Sequence, residues 1–118
     1  MDQNDSEIGV RLIQFRKSLG LSQLEMAEKA GVNRVYITQI ETGKTNPSYN
    51  VIYNFITKCN LSIDWLITGN GDMQIDMSES IASKLLDFYY PFIYKLSELP
   101  RDKQKRLIKI FTEILETN

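Results

Sequence analysis

The sequence predicts an all-α protein, with five short helices in the first 70 residues and a hairpin of two longer ones after them. Two observations predict this. Apolar residues recur three and four apart along most of the chain, and Ser, Asn and Gly stand where such stretches begin and end. The first helix lies in IGVRLIQFRKSLGLSQ, with Ile8, Leu12, Phe15 and Leu19 at turn spacing and an end near Gly20. Ser22 caps the second helix, and Glu25, three residues on, forms a capping box with it. Ala27, one turn before that helix ends, is small enough to let a third helix approach, and Gly31 takes the positive φ of the turn. Val32 drops into the core, and Asn33 caps the third helix through its side-chain oxygen. Ile37 and Ile40 share the inner face of that helix. ETGKTNPS is a turn-rich loop, and Ser48, after Pro47, caps a fourth helix carrying Val51, Ile52, Phe55 and Ile56. Ser62 opens a short fifth helix, stopped by Gly69, in which Trp65 and Leu66 are expected to pack against the fourth and close the core.

The stretch Gln23 to Thr42, QLEMAEKAGVNRVYITQIET, therefore has the spacing of a helix-turn-helix, and Arg34, Val35, Thr38, Gln39 and Thr42 form the free face of its second helix. In a DNA-binding helix-turn-helix that face enters the major groove. With the flanks added, LSQLEMA, AGV, YITQIETGKTNPS and IDWLITG make Glu7 to Gly69 resemble the five-helix DNA-binding domain of lambda-type phage repressors and Cro, the xenobiotic-response-element family. The resemblance covers a little over half the chain. It implies a sequence-specific transcriptional regulator of the phage-repressor type, reading a palindromic operator in double-stranded DNA as a homodimer.

It also implies roles for single residues. Gln23 matches the glutamine that hydrogen-bonds phosphate beside the positive end of its helix, with plain solvation of the side chain as the alternative. Asn33 stands at the tip of the recognition helix, and Arg34 and Val35 match positions that touch base edges. Arg34 suits a bidentate contact to guanine, Val35 a thymine methyl and Gln39 an adenine. Tyr36 and Thr38 flank that face and are expected at phosphate, and Lys44, Thr45 and Asn46 lie in the loop that follows the groove wall. Val35 departs from the polar residue often found there, which leaves the operator sequence open. The family also pairs an arginine of the first helix with a glutamate after the recognition helix's last apolar residue, and Arg16 and Glu41 stand there. The alternative is a solvated pair with a coupling of about 0 to 1 kcal/mol. A function of another class stays open as well. The same fold serves as a protein-binding adaptor and as the antitoxin of toxin–antitoxin pairs, so an antirepressor or toxin protein is a further candidate partner.

Composition sets bounds on these readings. The chain has 118 residues, 42% hydrophobic and 25% charged, which is ordinary for a globular protein. It has no run of roughly 18 apolar residues, and the acidic start MDQNDSE lacks the form of a signal peptide, so the expectation is a cytoplasmic protein without a membrane partner. The net charge of −1 is not the basic footprint of a DNA binder, but Arg11 to Asn50 holds six basic residues against three acidic ones, a local +3. Catalysis is not expected. Histidine is absent, and the single cysteine, Cys59, builds neither a disulfide nor a structural zinc site and reads as a small buried hydrophobe. Gly43 to Thr45, GKT, ends like a phosphate-binding loop, but that motif needs a glycine where Thr38 stands. No metal or cofactor is expected. The larger repressors of the family carry a self-cleaving protease domain, and about 45 residues after the first domain leave no room for one.

The domain reading is 1–70 for DNA binding, 71–78 as a linker and 79–118 as a helical hairpin. The linker NGDMQIDMS includes the pair Asn70-Gly71, which also suits a tight turn. Glu79 to Leu96 carries Ile81, Leu85, Phe88, Phe92 and Leu96 on one stripe with Leu86, Tyr89 and Ile93 beside it, and Pro91 in its middle is expected to kink the helix. Arg101 to Glu116 turns Leu107, Ile108, Phe111, Ile114 and Leu115 inward. Two helices alone cannot enclose so much apolar surface. Either the first domain covers it or the hairpin of a second subunit does, and two-fold symmetric operators supply a motive for the second. Ile81, Leu85, Phe88, Phe92, Ile108, Phe111 and Leu115 are the expected dimer face.

Overall fold

The structure, a computed structural model, describes residues 7–96 and 98–116, with the side chains of Glu7, Leu96, Arg101, Phe111, Thr112 and 114–116 outside that description. The helices are α1 (Glu7–Ser18), α2 (Gln23–Ala30), α3 (Arg34–Glu41), α4 (Tyr49–Cys59), α5 (Ile63–Thr68), α6 (Glu79–Leu96) and α7 (Arg101–Glu116). Among the described residues the fold is all-α, and no helix is long and apolar enough to cross a membrane.

The local signals act where the sequence places them. The Ser22 hydroxyl accepts from Glu25 N at 3.0 Å while the Glu25 carboxylate accepts from Ser22 N at 2.8 Å. These bonds hold the Glu25 carboxyl below its ordinary range. Asn33, Ser48 and Ser62 cap α3, α4 and α5 through their side-chain oxygens alone, and Gly31 ends α2 at φ 75°. One stop is carried by a residue other than glycine: Asn60 ends α4 at φ 61°, with Leu61 N donating to Phe55 O.

One core runs through all seven helices. Ile8, Leu12 and Phe15 from α1, Met26, Ala27 and Ala30 from α2, Ile37 and Ile40 from α3, and Val51, Ile52, Phe55 and Ile56 from α4 are buried together. α1 and α3 meet closely at Gly9, where a Cβ would stand 2.8 Å from the carbonyl oxygens of both Ile40 and Glu41. Arg11 reaches across to α5 and donates to Leu66 O and Ile67 O at 3.0 and 2.8 Å, satisfying carbonyls at that helix's end. Trp65 is buried as expected, but the main neighbours of α5 are α1, α6 and α7 rather than α4.

The second half of the chain lies against the first. Residues 73–75 pair with the end of α4: Leu61 and Gln74 form an antiparallel bridge, and Ile75 N donates to Asn60 O at 2.7 Å. Ser78 then opens α6, its backbone carbonyl accepting from Ala82 N at 2.9 Å. α6 runs unbroken through Pro91, which is exposed, so water can take the Asp87 carbonyl that proline leaves without a donor. Its buried stripe is Ala82, Leu86, Tyr89 and Ile93, packed on α4 and α5. The bulkier stripe beside it faces outward: Ile81 is 52% and Phe88 69% exposed, with Leu85 and Phe92 half-buried. Ile108, grouped by sequence with that outer face, is instead buried in this chain's own core, while Phe111 and Leu115 lie outside the described side chains.

Candidate nucleic-acid interface

The free side of α3 carries Arg34, Val35 and Gln39, all exposed, with Val35 at 57%. Beside it runs an open groove of about 610 Å³ lined by Val32, Asn33, Val35, Tyr36, Gln39 and Ser48. Asn33 spends its side-chain oxygen on Tyr36 N at 2.9 Å, so its part here is to start the helix. Ile37 and Ile40, on the opposite side, fix how far the helix can roll.

Several residues read as phosphate contacts turn their polar groups toward the protein. The Tyr36 hydroxyl accepts from Ser48 N at 2.9 Å and donates to Asn46 O at 3.3 Å, which pins the loop after α3 to the recognition helix. Asn46 donates through Nδ2 to Ile93 O of α6 at 2.8 Å. Thr38 donates from Oγ1 toward both Gln23 Oε1 and Arg34 O at 3.2 Å. Lys44 remains exposed and Thr45 half-buried in the loop.

Behind this face lies a buried ionic group. Glu41 is only 3% exposed, and Arg16 grips its carboxylate with Nε at 2.7 Å and Nη2 at 3.2 Å. Arg16 Nη1 donates to Leu21 O at 3.0 Å, and Gln23 Nε2 donates to Glu41 Oε1 at 3.0 Å. The pair is therefore the bridge rather than the solvated alternative, and it joins α1 and α3 to the first residue of α2. Gln23 arrives at the surface with one amide hydrogen on Glu41 and its oxygen beside Thr38, so these two bonds leave its second amide hydrogen unused.

Among the described residues no cluster of His, Cys, Asp or Glu has the makings of a metal site. Cys59 is buried, and burial pushes its thiol up, the opposite of a reactive thiolate.

A family model described as helix-turn-helix matches residues 12–66. An uncharacterized HTH-type transcriptional regulator of Archaeoglobus fulgidus is 39% identical over 54 residues, which cover 46% of this chain and 77% of that protein. The chain belongs to the helix-turn-helix transcriptional regulators. Within the family, the HTH-type transcriptional regulator SinR of Bacillus licheniformis is 36% identical over 70 residues, covering 58% of this chain and 63% of SinR. The match thus spans a little under two thirds of that relative's length. The uncharacterized HTH-type regulator YqaE of Bacillus subtilis is 29% identical over 102 residues, 86% of each chain, an alignment long enough to run into the hairpin. No solved structure gives a significant match.

Proposed function

We propose that the protein is a sequence-specific repressor of the phage type that binds a palindromic operator as a homodimer and performs no catalysis. The observation that carries the reading is the exposed triad Arg34, Val35 and Gln39 on a helix whose inner face is locked by Ile37, Ile40 and the Glu41 ion pair. A rigid helix presenting a fork of donors, a methyl group and an amide is the equipment for reading base edges in the major groove. Arg34→Ala is expected to cost about 1 to 3 kcal/mol of specific affinity and to relax preference at one base pair, whereas Lys44→Ala should weaken all sequences alike. Competition binding on duplexes selected by the parent chain from a random pool makes the comparison. If Arg34→Ala lowered affinity equally for every sequence, the base-reading role would be wrong.

The outer stripe of α6 supports the dimer. One face of α6 is packed on α4 and α5, and beside it Ile81 and Phe88 are exposed and Leu85 and Phe92 half-buried, a second apolar row at the surface. A second copy related by a two-fold axis covers this row with the same row. It also sets two recognition helices about one DNA turn, roughly 34 Å, apart. Phe88→Glu should give a folded monomer by sedimentation at micromolar concentration, with operator affinity lost because each half-site alone binds weakly. A Phe88→Glu chain that still dimerises removes this stripe from the interface. If the row instead receives a toxin or antirepressor, the parent chain alone will be monomeric.

A further inference from the structure

We propose that the far end of the hairpin, Lys95 with the first turns of α7, is a second contact to the DNA backbone. It would hold phosphates flanking the half-site read by α3. The inference rests on the DNA-binding reading above and extends it to residues outside the helix-turn-helix.

The helix-turn-helix offers few cations at the groove side. Of the six basic residues between Arg11 and Asn50, Arg11 is turned onto the carbonyls of α5 and Arg16 onto Glu41. Lys29 lies near Lys58 and Cys59 at the end of α2, and Lys17 is exposed in the last turn of α1. Arg34 and Lys44 remain at the groove side. Residues 95–109, by contrast, hold Lys95, Arg101, Lys103, Lys105, Arg106 and Lys109 against Glu98 and Asp102, a local +4 in a chain whose net charge is −1.

The fold brings the start of this segment beside the loop that carries Lys44. The loop after the recognition helix, which carries Lys44, is joined to α6 by the Asn46 Nδ2 bond to Ile93 O at 2.8 Å. Lys95 follows two residues later, its side chain 73% exposed. Its 3.6 Å contact with Glu98 is an exposed pair and leaves the lysine available. α7 then turns Ile108 inward, with Gln104 and Leu107 half-buried, and leaves Lys103, Lys105, Arg106 and Lys109 in solvent. The lysines are thus free of the packing that holds the hairpin down. A row of exposed cations that continues from Lys95, close to the loop after α3, is suited to the phosphate backbone, which carries charge but no sequence.

The test uses the full chain with Lys103→Gln, Lys105→Gln and Arg106→Gln combined, since glutamine keeps helix propensity while removing charge. Affinity is measured against salt on two duplexes. One is trimmed to the sequence selected by the parent from a random pool, and the other carries that sequence with ten further base pairs on each side. On the long duplex the variant should lose roughly 5-fold for each phosphate contact removed near 0.15 M salt, and its log–log slope should flatten by about 0.9 per contact. On the trimmed duplex it should match the parent, and base preference should be unchanged on both. Equal slopes for variant and parent on the long duplex overturn the proposal, as does an equal loss on both duplexes. A variant that loses dimerisation in sedimentation also overturns it, since the basic row would then serve an acidic protein surface. A parent chain that selects no sequence overturns the DNA-binding reading itself, and the inference with it.

Discussion

Arg16→Ala should lower the unfolding free energy by about 3 to 5 kcal/mol, a large part of the 5 to 15 kcal/mol of a typical domain. The cause is the carboxylate left behind. Glu41 is 3% exposed, and without the guanidinium it would keep only the Gln23 amide for a full negative charge among Ile37, Ile40 and Leu12. Removing both partners is a different experiment, because a buried pair replaced by apolar residues of similar volume is often neutral in stability. Arg16→Met with Glu41→Leu should therefore recover most of the loss. It should not recover DNA affinity in full, since Gln23 would lose the acceptor that orients its amide. Urea midpoints for the parent, the single variant and the double variant check the first two statements. An Arg16→Ala loss below 1 kcal/mol would mean that the pair behaves as a solvated one.

This ion pair marks a limit of sequence reading. The family resemblance announces Arg16 and Glu41 as two charges near one another, but not their burial, and burial moves the expected coupling from a fraction of a kcal/mol to several. The helix boundaries were far more legible, because their signals are local. Ser22 with Glu25, Asn33, Ser48 and Ser62 cap through bonds spanning three residues, and Gly31 and Gly69 act through their own φ. Asn60 was not legible as a stop, since asparagine takes the left-handed conformation only in some contexts, and Gly9 was not legible as a contact, since its need arises from α3, some thirty residues away. The same distance effect hid the pairing of residues 73–75 with the end of α4, which makes the expected linker part of the packed surface.

Two stripes on α6 posed a harder problem. Ile81, Leu85, Phe88 and Phe92 are one helical row, and Ala82, Leu86, Tyr89 and Ile93 are the next. Hydrophobicity favours the first for burial, yet the second faces α4 and α5. Polar groups settle the choice: the Asp87 carboxylate takes the Tyr49 hydroxyl at 2.6 Å, Tyr89 bonds Asp64, and Ile93 O takes Asn46. Those partners lie 25 to 47 residues away in sequence, so no local pattern contains them. At the interface the exposed trio of α3 was readable from helical spacing. The inward bonds of Tyr36, Thr38 and Asn46 were not, because each depends on a loop or helix brought up by the fold.

Trp65→Ala should cost about 3 to 5 kcal/mol, the usual range for emptying a buried aromatic site. Trp65 is 7% exposed on a helix of six residues, too short to persist without its side chains, and that helix lies between α1 on one side and the hairpin on the other. Removing the indole therefore loosens both contacts together. Arg11 would hold the end of α5 with less behind it, and Tyr89 would lose the firm placement of Asp64 that its hydroxyl uses. Because α5 is shared, parent and variant should each unfold in one transition, with helical circular dichroism and near-ultraviolet tyrosine signals coinciding, and the variant's midpoint should fall without a change in slope. The parent's tryptophan emission should be blue-shifted and poorly quenched by added iodide. A red-shifted, freely quenched Trp65 would contradict the burial. Two separate transitions in the parent would show that the hairpin folds apart from the helix-turn-helix, which the continuous core running from Phe15 and Phe55 through Leu66 to Leu86 and Ile93 argues against.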